Sequence, residues 1–386
     1  MDHGTAELYI GLMSGTSMDA VDGVVAGFGP AGNLIRTLAS ASVPMPDDFR
    51  RLLGDLQSSG PDELAAAALV ANGLADLYAK CVRMLLAQAA LPASAVTALG
   101  AHGQTVRHDP QRGYTLQLIN AARLAEATGI DTVSDLRSAD VAAGGEGAPL
   151  VPAFHARVFG GTAARRGITN IGGIANITIL EPADTGGSTR SSAGTSAPPV
   201  LGYDTGPGNT LMDAWCEQHR GERFDCDGRW AAAGQVDTGL LQRMRAEAYF
   251  GRQAPKSTGR DLFNAEWLQR QDLRGLTPVD VQASLLELTA TTLADGCRLH
   301  QVTEVFVCGG GAANGRLMDR LQANLPSIPV RTTGDLGLDP QTVEATAFAW
   351  LARQRVKREP GNLPAVTGAS GYRVLGALYP SGSREG

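Results

Sequence analysis

The chain has 386 residues, 43% hydrophobic and 19% charged, with 33 Lys and Arg against 39 Asp and Glu for a net charge of −6. That length favours two domains with apolar cores of their own, and the acidic balance argues against a nucleic-acid or anionic-membrane partner. Five scattered cysteines without a CxxC read as buried reduced thiols, and six histidines without HExxH spacing give no support to a metal centre of protein ligands alone.

The N-terminus enters a strand within eight residues and shows no secretory signal. Apolar runs predict strands at 8–13, 21–28 and 33–42, helices within 46–90 and a strand at 96–101. The stretch "LAAAALVANGLADLYAKCVRMLLAQAAL" is broken by Asp76, Lys80 and Arg83, so it reads as a core helix and not a membrane span. "YTLQL" is a further strand, followed by a helix near 120–128, and "DTVSDL" closes the set.

A second block of the same flavour opens at Gly167, where "ITNIGGIANITIL" is two apolar pieces joined at Gly172-Gly173. Residues 181–199, "EPADTGGSTRSSAGTSAPP", read as a flexible surface loop. Helices follow near 208–219 and 278–300, then a strand "EVFVC" and helices near 314–324 and 341–355; the tail after Tyr379 reads as frayed. The two openings predict a duplicated α/β unit, with an N-terminal domain over 1–165 and a C-terminal domain over 166–386.

Each opening is a hairpin whose tip is small and polar. In the first, the apolar run is interrupted by Ser14, Gly15, Thr16, Ser17, Met18, Asp19, Ala20, Val21 and Asp22. Such a tip presents backbone N–H groups and hydroxyls to an anion. A Walker A loop is absent: "GRQAPKST" has Pro255 where a glycine is required. "GGGAANG" has the wrong spacing for a dinucleotide fingerprint, and no HRD or DFG marks a protein kinase. The remaining pattern is two facing hairpins gripping ATP phosphates with a Gly-rich turn against the nucleoside. Its residues are the Ser14–Asp22 tip, Asn170, Gly172, Gly173 and Asn176, then Gly309, Gly310, Gly311 and Asn314. Asp19 and Asp22 are the candidates to hold Mg2+ through water.

"GLMSGTSMDAVD", "AHGQTVRH", "DLRSADVAAGGEGAPLVPAFH", "NIGGIANIT", "YDTGPGNTLMD", "KSTGRDLFN", "VCGGGAANGRLM" and "EATAFAWLA" resemble, in this order, the motifs of the anhydro-N-acetylmuramic acid kinase family. The resemblance runs from Tyr9 to Leu375, interrupted by the 181–199 loop. It implies the two-domain, duplicated actin-like (ribonuclease H-like) α/β fold of the sugar kinase, actin and heat-shock chaperone superfamily, with an interdomain active-site cleft that closes on binding. It also implies ATP and Mg2+ as cofactors, a small-molecule anhydro amino sugar as partner, a homodimer and a cytoplasmic location. The implied reaction opens 1,6-anhydro-N-acetylmuramic acid with water while phosphorylating O6, in cell-wall recycling. Two residues depart from the family. Ala20 stands where glycine is usual, which strains the chain by about 1 kcal/mol if φ there is positive. Glu146 stands where glutamine is more common and adds a carboxylate.

The chemistry requires a base for the water that attacks C1. Asp204 is the candidate, and the resemblance agrees; the competing reading is an N-cap for the 208–219 helix, which Asn209 or Thr205 serves equally well. His102, Gln104 and Thr105, clustered with Arg107, suit a sugar-facing wall, and Asn209 joins the expected sugar ligands. Asp135 and Arg137, with Asp140, form either a buried ion pair or a substrate site in which Arg137 meets the lactyl carboxylate. Glu344 heads a helix and favours its dipole; the resemblance brings it to the sugar or the water. Lys256, Ser257 and Arg260 carry no assigned role. Two other functions fit the pattern: another amino-sugar or acetate kinase of the superfamily, and an ATP-binding module without transfer chemistry.

Overall fold

The computed structural model describes residues 6–15, 18–183 and 200–382. Its backbone contacts divide the chain into one unit of residues 1–158 with 342–386 and a second of residues 159–341.

The first unit is built on a sheet ordered β3-β2-β1-β4-β7-β13. Its strands are β1 (Glu7–Ser14), β2 (Ala20–Phe28), β3 (Leu34–Pro44), β4 (Val96–Ala101), β7 (Thr132–Ser134) and β13 (Ala377–Tyr379). The meander β1–β2–β3 is antiparallel, and β4 and β7 extend it in parallel beyond β1. A separate hairpin joins β5 (Gln104–Asp109) to β6 (Tyr114–Leu118). The second unit repeats the plan with β8 (Arg166–Ile171), β9 (Ile174–Leu180), β10 (Val200–Pro207), β11 (Glu304–Cys308) and β12 (Val330–Thr332). Its order is β10-β9-β8-β11-β12, with the same antiparallel and parallel senses. In each unit the strands run third, second, first, fourth, fifth across the sheet. This is the duplicated ribonuclease H-like α/β fold expected from the sequence.

Central strands in such sheets are covered on both faces and therefore read as continuous apolar runs. In β1, Tyr9, Ile10 and Leu12 are buried. The helix Glu63–Ala89 is long and apolar enough to cross a membrane, yet it lays Leu74, Tyr78, Cys81, Val82 and Leu85 into the core of the first unit. In the second unit the helix Pro278–Leu299 starts at Thr277, whose side chain accepts from Asp280 N–H, with Pro278 in the first turn where a missing N–H is tolerated.

Against an expected boundary at 165/166, the chain first passes from one unit to the other between Val158 and Phe159. Residues 342–386 return to the first unit instead of completing the second. The reason lies in two glycines. A Cβ on Gly11 of β1 would sit 1.8 Å from the Ala345 carbonyl oxygen, and one on Gly100 of β4 would sit 2.0 Å from that of Phe348. The helix Val343–Lys357 thus rests its backbone directly on β1 and β4, through an alanine-rich face. Two smaller expectations change as well. Cys226 is exposed, while the other four cysteines are buried. Just past Tyr379, Ser381 is tied down, its N–H and Oγ donating to Asp131 Oδ1 at 2.9 and 3.0 Å, while residues 383–386 lie outside the described residues. Most of the expected 181–199 loop lies outside the described residues.

Candidate active site

The first hairpin tip joins β1 to β2. Ser14 ends β1 with its hydroxyl turned inward, donating to the Gly103 carbonyl at 3.0 Å and lying 3.0 Å from the Tyr78 hydroxyl. Its side chain is thus an anchor of the tip. Burial of Tyr78 pushes its phenol pKa upward, which keeps it a neutral partner. The Met18 N–H closes the turn on the Gly15 carbonyl at 3.1 Å, and Met18 has φ 56°. The left-handed position is therefore Met18. Ala20 is an ordinary strand residue paired with Pro44 and has no positive φ, so the condition for strain there is not met. Val21 is a core residue. Thr16 and Ser17 lie outside the described residues.

Asp19 is half-exposed, 3.7 Å from the Arg50 guanidinium. Asp22 lies in β2, and burial raises its pKa, with Asp19 adding to the effect and a hydrogen bond from Ser42 opposing it. Among the described residues no group of three or more His, Cys, Asp or Glu could hold a metal.

The expected sugar wall separates into parts with different tasks. His102 is buried, its Nδ1 2.8 Å from the Gly103 carbonyl, its Nε2 accepting from Arg137 Nε at 3.1 Å and Nη2 at 2.8 Å. Burial, reinforced by the Arg137 charge, lowers its pKa to about 3. The imidazole is neutral at ordinary pH. Gln104 is 2% exposed and its Oε1 has no hydrogen-bond partner among the described residues. Thr105 Oγ1 accepts from Gln117. Arg107 is structural: it pairs with Glu63 at 2.5 Å and donates to the carbonyls of Leu56 and Val106.

Asp135 is exposed at the end of β7, with φ 54° and Oδ1 accepting from Ser138. Asp140 is fully buried and satisfied by Gly147 N–H, Asn362 Nδ2 and Thr367 Oγ1, so it shapes the loop before Pro149. The added carboxylate of Glu146 accepts from Gln111 at 3.2 Å. Glu344, partly buried, sits in the first turn of Val343–Lys357.

The second hairpin tip is fastened differently. Gly208 and Thr210 N–H donate to the Gly173 carbonyl at 2.9 and 3.1 Å, and Asn209 N–H donates to that of Gly172 at 2.8 Å. Asn209 Nδ2 adds a bond to the Ile171 carbonyl at 3.2 Å. The tip is thus riveted to the start of the helix Thr210–Arg220. Asn170 is buried at the end of β8, and Asn176 pairs with both Asn170 and Asp204 across the sheet.

Asp204 lies within β10, five residues before Asn209 at that helix's N-cap position, which removes the capping alternative. It is 9% exposed and held from three sides. Its N–H donates to the Lys256 carbonyl at 3.2 Å, its carbonyl accepts from the Tyr249 hydroxyl at 2.6 Å, and its Oδ2 accepts from Thr258 N–H at 3.0 Å. Lys256 Nζ donates to the carbonyls of Tyr249 and Phe250 and lies 4.7 Å from the Tyr249 ring centroid. Burial lowers the Lys256 pKa, helped by Arg252 and opposed by Asp204. The "KST" segment is therefore the clasp of Asp204. Tyr249 and Thr258 escaped the sequence reading; the motif around Thr258 was visible, but its partner 54 residues away was not.

At the Gly-rich turn, Gly309 has φ 80°, and a Cβ on Gly311 would meet Ile171 Cγ2 at 2.4 Å. Gly310 completes the turn, and Asn314 caps the helix Gly315–Asn324 by accepting from Leu317 N–H. Asn314 is thus a cap by its side chain. Beside that helix lies a cavity of about 270 Å3 lined by Gln235, Glu287, Arg316 and Arg320, with Ala231 and Ala283 among its apolar walls.

The anhydro-N-acetylmuramic acid kinase family model matches residues 7–381. The anhydro-N-acetylmuramic acid kinase of Ralstonia nicotianae is 52% identical over 386 residues, covering 97% of this chain and 98% of its own. That of Bordetella parapertussis is 53% identical over 387 residues, covering 98% and 97%. The one from Variovorax paradoxus is 52% identical over 383 residues, covering 97% and 99%.

Proposed function

The chain belongs to the anhydro-N-acetylmuramic acid kinase family, and from that premise we propose how its residues perform the family's reaction. ATP, water and 1,6-anhydro-N-acetylmuramic acid become N-acetylmuramic acid 6-phosphate and ADP, a carbohydrate kinase step in cell-wall recycling. Water attacks C1 of the sugar and gives its proton to the Asp204 carboxylate. The C1–O6 bond breaks with its electron pair on O6, and that oxygen takes the γ-phosphoryl group. The phosphoryl replaces the acid that a glycosidase would use, so one base suffices.

The observation that carries the assignment is the clasp on Asp204. A carboxylate fixed by the Thr258 N–H, with its backbone held by Tyr249 and Lys256, is oriented before substrate arrives. The Gly15–Met18 tip, the Gly172-Gly173 tip and the Gly309–Gly311 turn receive the phosphates, and the 270 Å3 cavity beside Arg316 and Arg320 receives the base of the nucleotide. Gln104, whose Oε1 has no donor among the described residues, accepts a hydrogen bond from a sugar hydroxyl, and Arg137 meets the lactyl carboxylate. Asp135, Asn209 and Glu344 complete the sugar contacts.

Asp19 and Asp22 suit a hydrated Mg2+ carried mainly by phosphate oxygens, since two carboxylates with no third His, Cys, Asp or Glu beside them among the described residues build no cage for a bare ion. When bound, the ion neutralises charge on the β- and γ-phosphates. We propose that the enzyme is a cytoplasmic homodimer; light scattering on the purified protein checks the dimer, and fractionation of cells checks the location.

The decisive experiment is ADP release with Mg-ATP and the anhydro sugar, beside Asp204→Asn. The variant should lose at least about 10^3-fold in kcat while nucleotide affinity stays within about twofold. Retention of more than a tenth of the wild-type rate removes Asp204 from the mechanism.

A further inference from the structure

Arg137 does not stand alone in the first unit. Its Nε and Nη2 both donate to one acceptor, His102 Nε2, at 3.1 and 2.8 Å. The imidazole is fixed in turn by Nδ1 against the Gly103 carbonyl at 2.8 Å and by the Phe348 ring, 4.8 Å away between centroids. Gly103 has φ 77°, which turns that carbonyl out of the strand direction, and the same carbonyl accepts from Ser14. An unbroken chain of contacts runs from the phosphate hairpin through Gly103 and His102 to Arg137.

A histidine can accept from a guanidinium only while one ring nitrogen lacks a proton. The Gly103 carbonyl selects the tautomer, taking the proton at Nδ1 and leaving Nε2 its lone pair. The buried site keeps the ring in that state, because a cationic imidazole beside Arg137 would face both desolvation and like-charge repulsion. Two N–H groups chelating one lone pair set the plane of the guanidinium and so the direction of its Nη1 edge.

We propose that His102 is a positioning residue that acts through Arg137, presetting the guanidinium plane for bidentate capture of the sugar's carboxylate. His102 itself does not contact the sugar, in contrast to the reading of it as a substrate ligand. This rests on the proposed role of Arg137 as carboxylate ligand. The advantage is that of preorganisation: a free arginine loses rotamer freedom on binding, and one held beforehand loses less.

The test uses the full-length enzyme and Michaelis constants for ATP and 1,6-anhydro-N-acetylmuramic acid. His102→Gln keeps a neutral acceptor, and His102→Phe keeps the ring but removes it. H102F should raise the sugar KM at least tenfold with ATP KM within twofold, while H102Q stays within threefold of wild type. Arg137→Lys, which cannot chelate the lone pair, should raise the sugar KM as H102F does. The wild-type 15N spectrum should show Nε2 unprotonated from pH 5 to 8.

An equal rise in both Michaelis constants, or H102Q behaving like H102F, overturns the proposal. So does an Nε2 that titrates in that range. Should H102F fail to fold, H102Q, R137K and the spectrum decide it. The two readings fail separately. If R137K leaves the sugar KM unchanged, the carboxylate role of Arg137 falls; if R137K raises it and H102F does not, only the positioning role of His102 falls. Absence of turnover with the anhydro sugar by wild type rejects the reaction itself.

Discussion

The two hairpin tips occupy the same place in the same topology, yet they are held by opposite means. The β1–β2 tip is anchored from below, by a buried serine hydroxyl engaging Tyr78 and the Gly103 carbonyl. The β8–β9 tip is anchored from the side, by its own carbonyls accepting from residues 208–210. The first leaves its turn to a left-handed methionine followed by two aspartates; the second gives its carbonyls to the fold. A duplicated scaffold therefore preserves strand order, while the residues that anchor each tip differ. The helices that back the sheets differ too: Val343–Lys357 lies backbone-on-backbone over Gly11 and Gly100, whereas a Cβ on Gly167 of β8 or Gly206 of β10 would meet side chains, those of Val302 and Phe250.

The largest effect should come from adding one methyl group to each unit. Gly11→Ala drives a Cβ into the Ala345 carbonyl and should destabilise the protein by about 3 kcal/mol or more, or prevent folding. Gly172→Ala meets only the Ile174 carbonyl oxygen at 3.6 Å and should leave the denaturation midpoint almost unchanged while reducing kcat. Equal stability losses would mean that close helix–sheet contact does not distinguish Gly11.

Acid should act next, and chiefly through the first unit. His102 and His155 are both buried there, with pKa values lowered to about 3 by burial, from 6.5. Between those values the unfolded chain binds more protons, so stability is complete above pH 6.5 and declines as pH falls toward 3, by at most about 1.4 kcal/mol per pH unit for each histidine. In the second unit burial lowers the pKa of His300 less completely, with Arg165 assisting and Glu181 opposing. Thermal melts from pH 7 to 4.5 should show a slope that His155→Gln makes shallower; an unaltered slope would exclude His155.

The two anchors can be compared directly. Ser14→Ala removes the donor to the Gly103 carbonyl and takes one hydrogen-bond partner from the buried Tyr78 hydroxyl, which keeps its backbone bond with Gly103, at a cost of about 1–2 kcal/mol. Asn209→Ala loses one side-chain bond to the Ile171 carbonyl while the three backbone bonds persist, and should cost about 1 kcal/mol. Urea titrations of both variants give the ranking, and a larger loss for Asn209→Ala would reverse the account of how the tips are held.

The smallest stability effect belongs to Asp22. Its pKa is raised above the unfolded value, mainly by burial, so ionisation at neutral pH opposes folding. Asp22→Asn should leave the melting temperature unchanged or slightly higher while shifting the Mg2+ requirement of turnover upward. A lower melting temperature would show that the carboxylate is needed by the fold.

Most strands and long helices were legible in the sequence because burial on both sheet faces writes uninterrupted apolar runs, and hairpin tips write glycine and polar residues between them. β10 was not, because "GYDTGPGN" reads as a turn: its glycines and proline mask a strand that ends in a bulge between Asp204 and Gly206. The ownership of residues 342–386 was hidden for a related reason, since the glycines that admit the helix lie hundreds of residues before it. At the site, the small polar tips and Asp204 were visible as residue types in pattern. Their partners were not: Tyr78 and Tyr249 have no local signature, and Thr258, though inside a visible motif, carries no mark of its partner 54 residues away.

By itself, then, the sequence determined the duplicated plan, the family and the list of polar residues available for chemistry, because local periodicity and motif spacing survive without tertiary context. Only the tertiary structure decided which of those residues face outward to act and which turn inward to hold. Ser14, Asp140, Arg107 and Asn314 proved to be supports, and His102 the neutral acceptor of Arg137. The physical reason is that a buried polar group needs partners, and those partners come from segments whose proximity no stretch of sequence records.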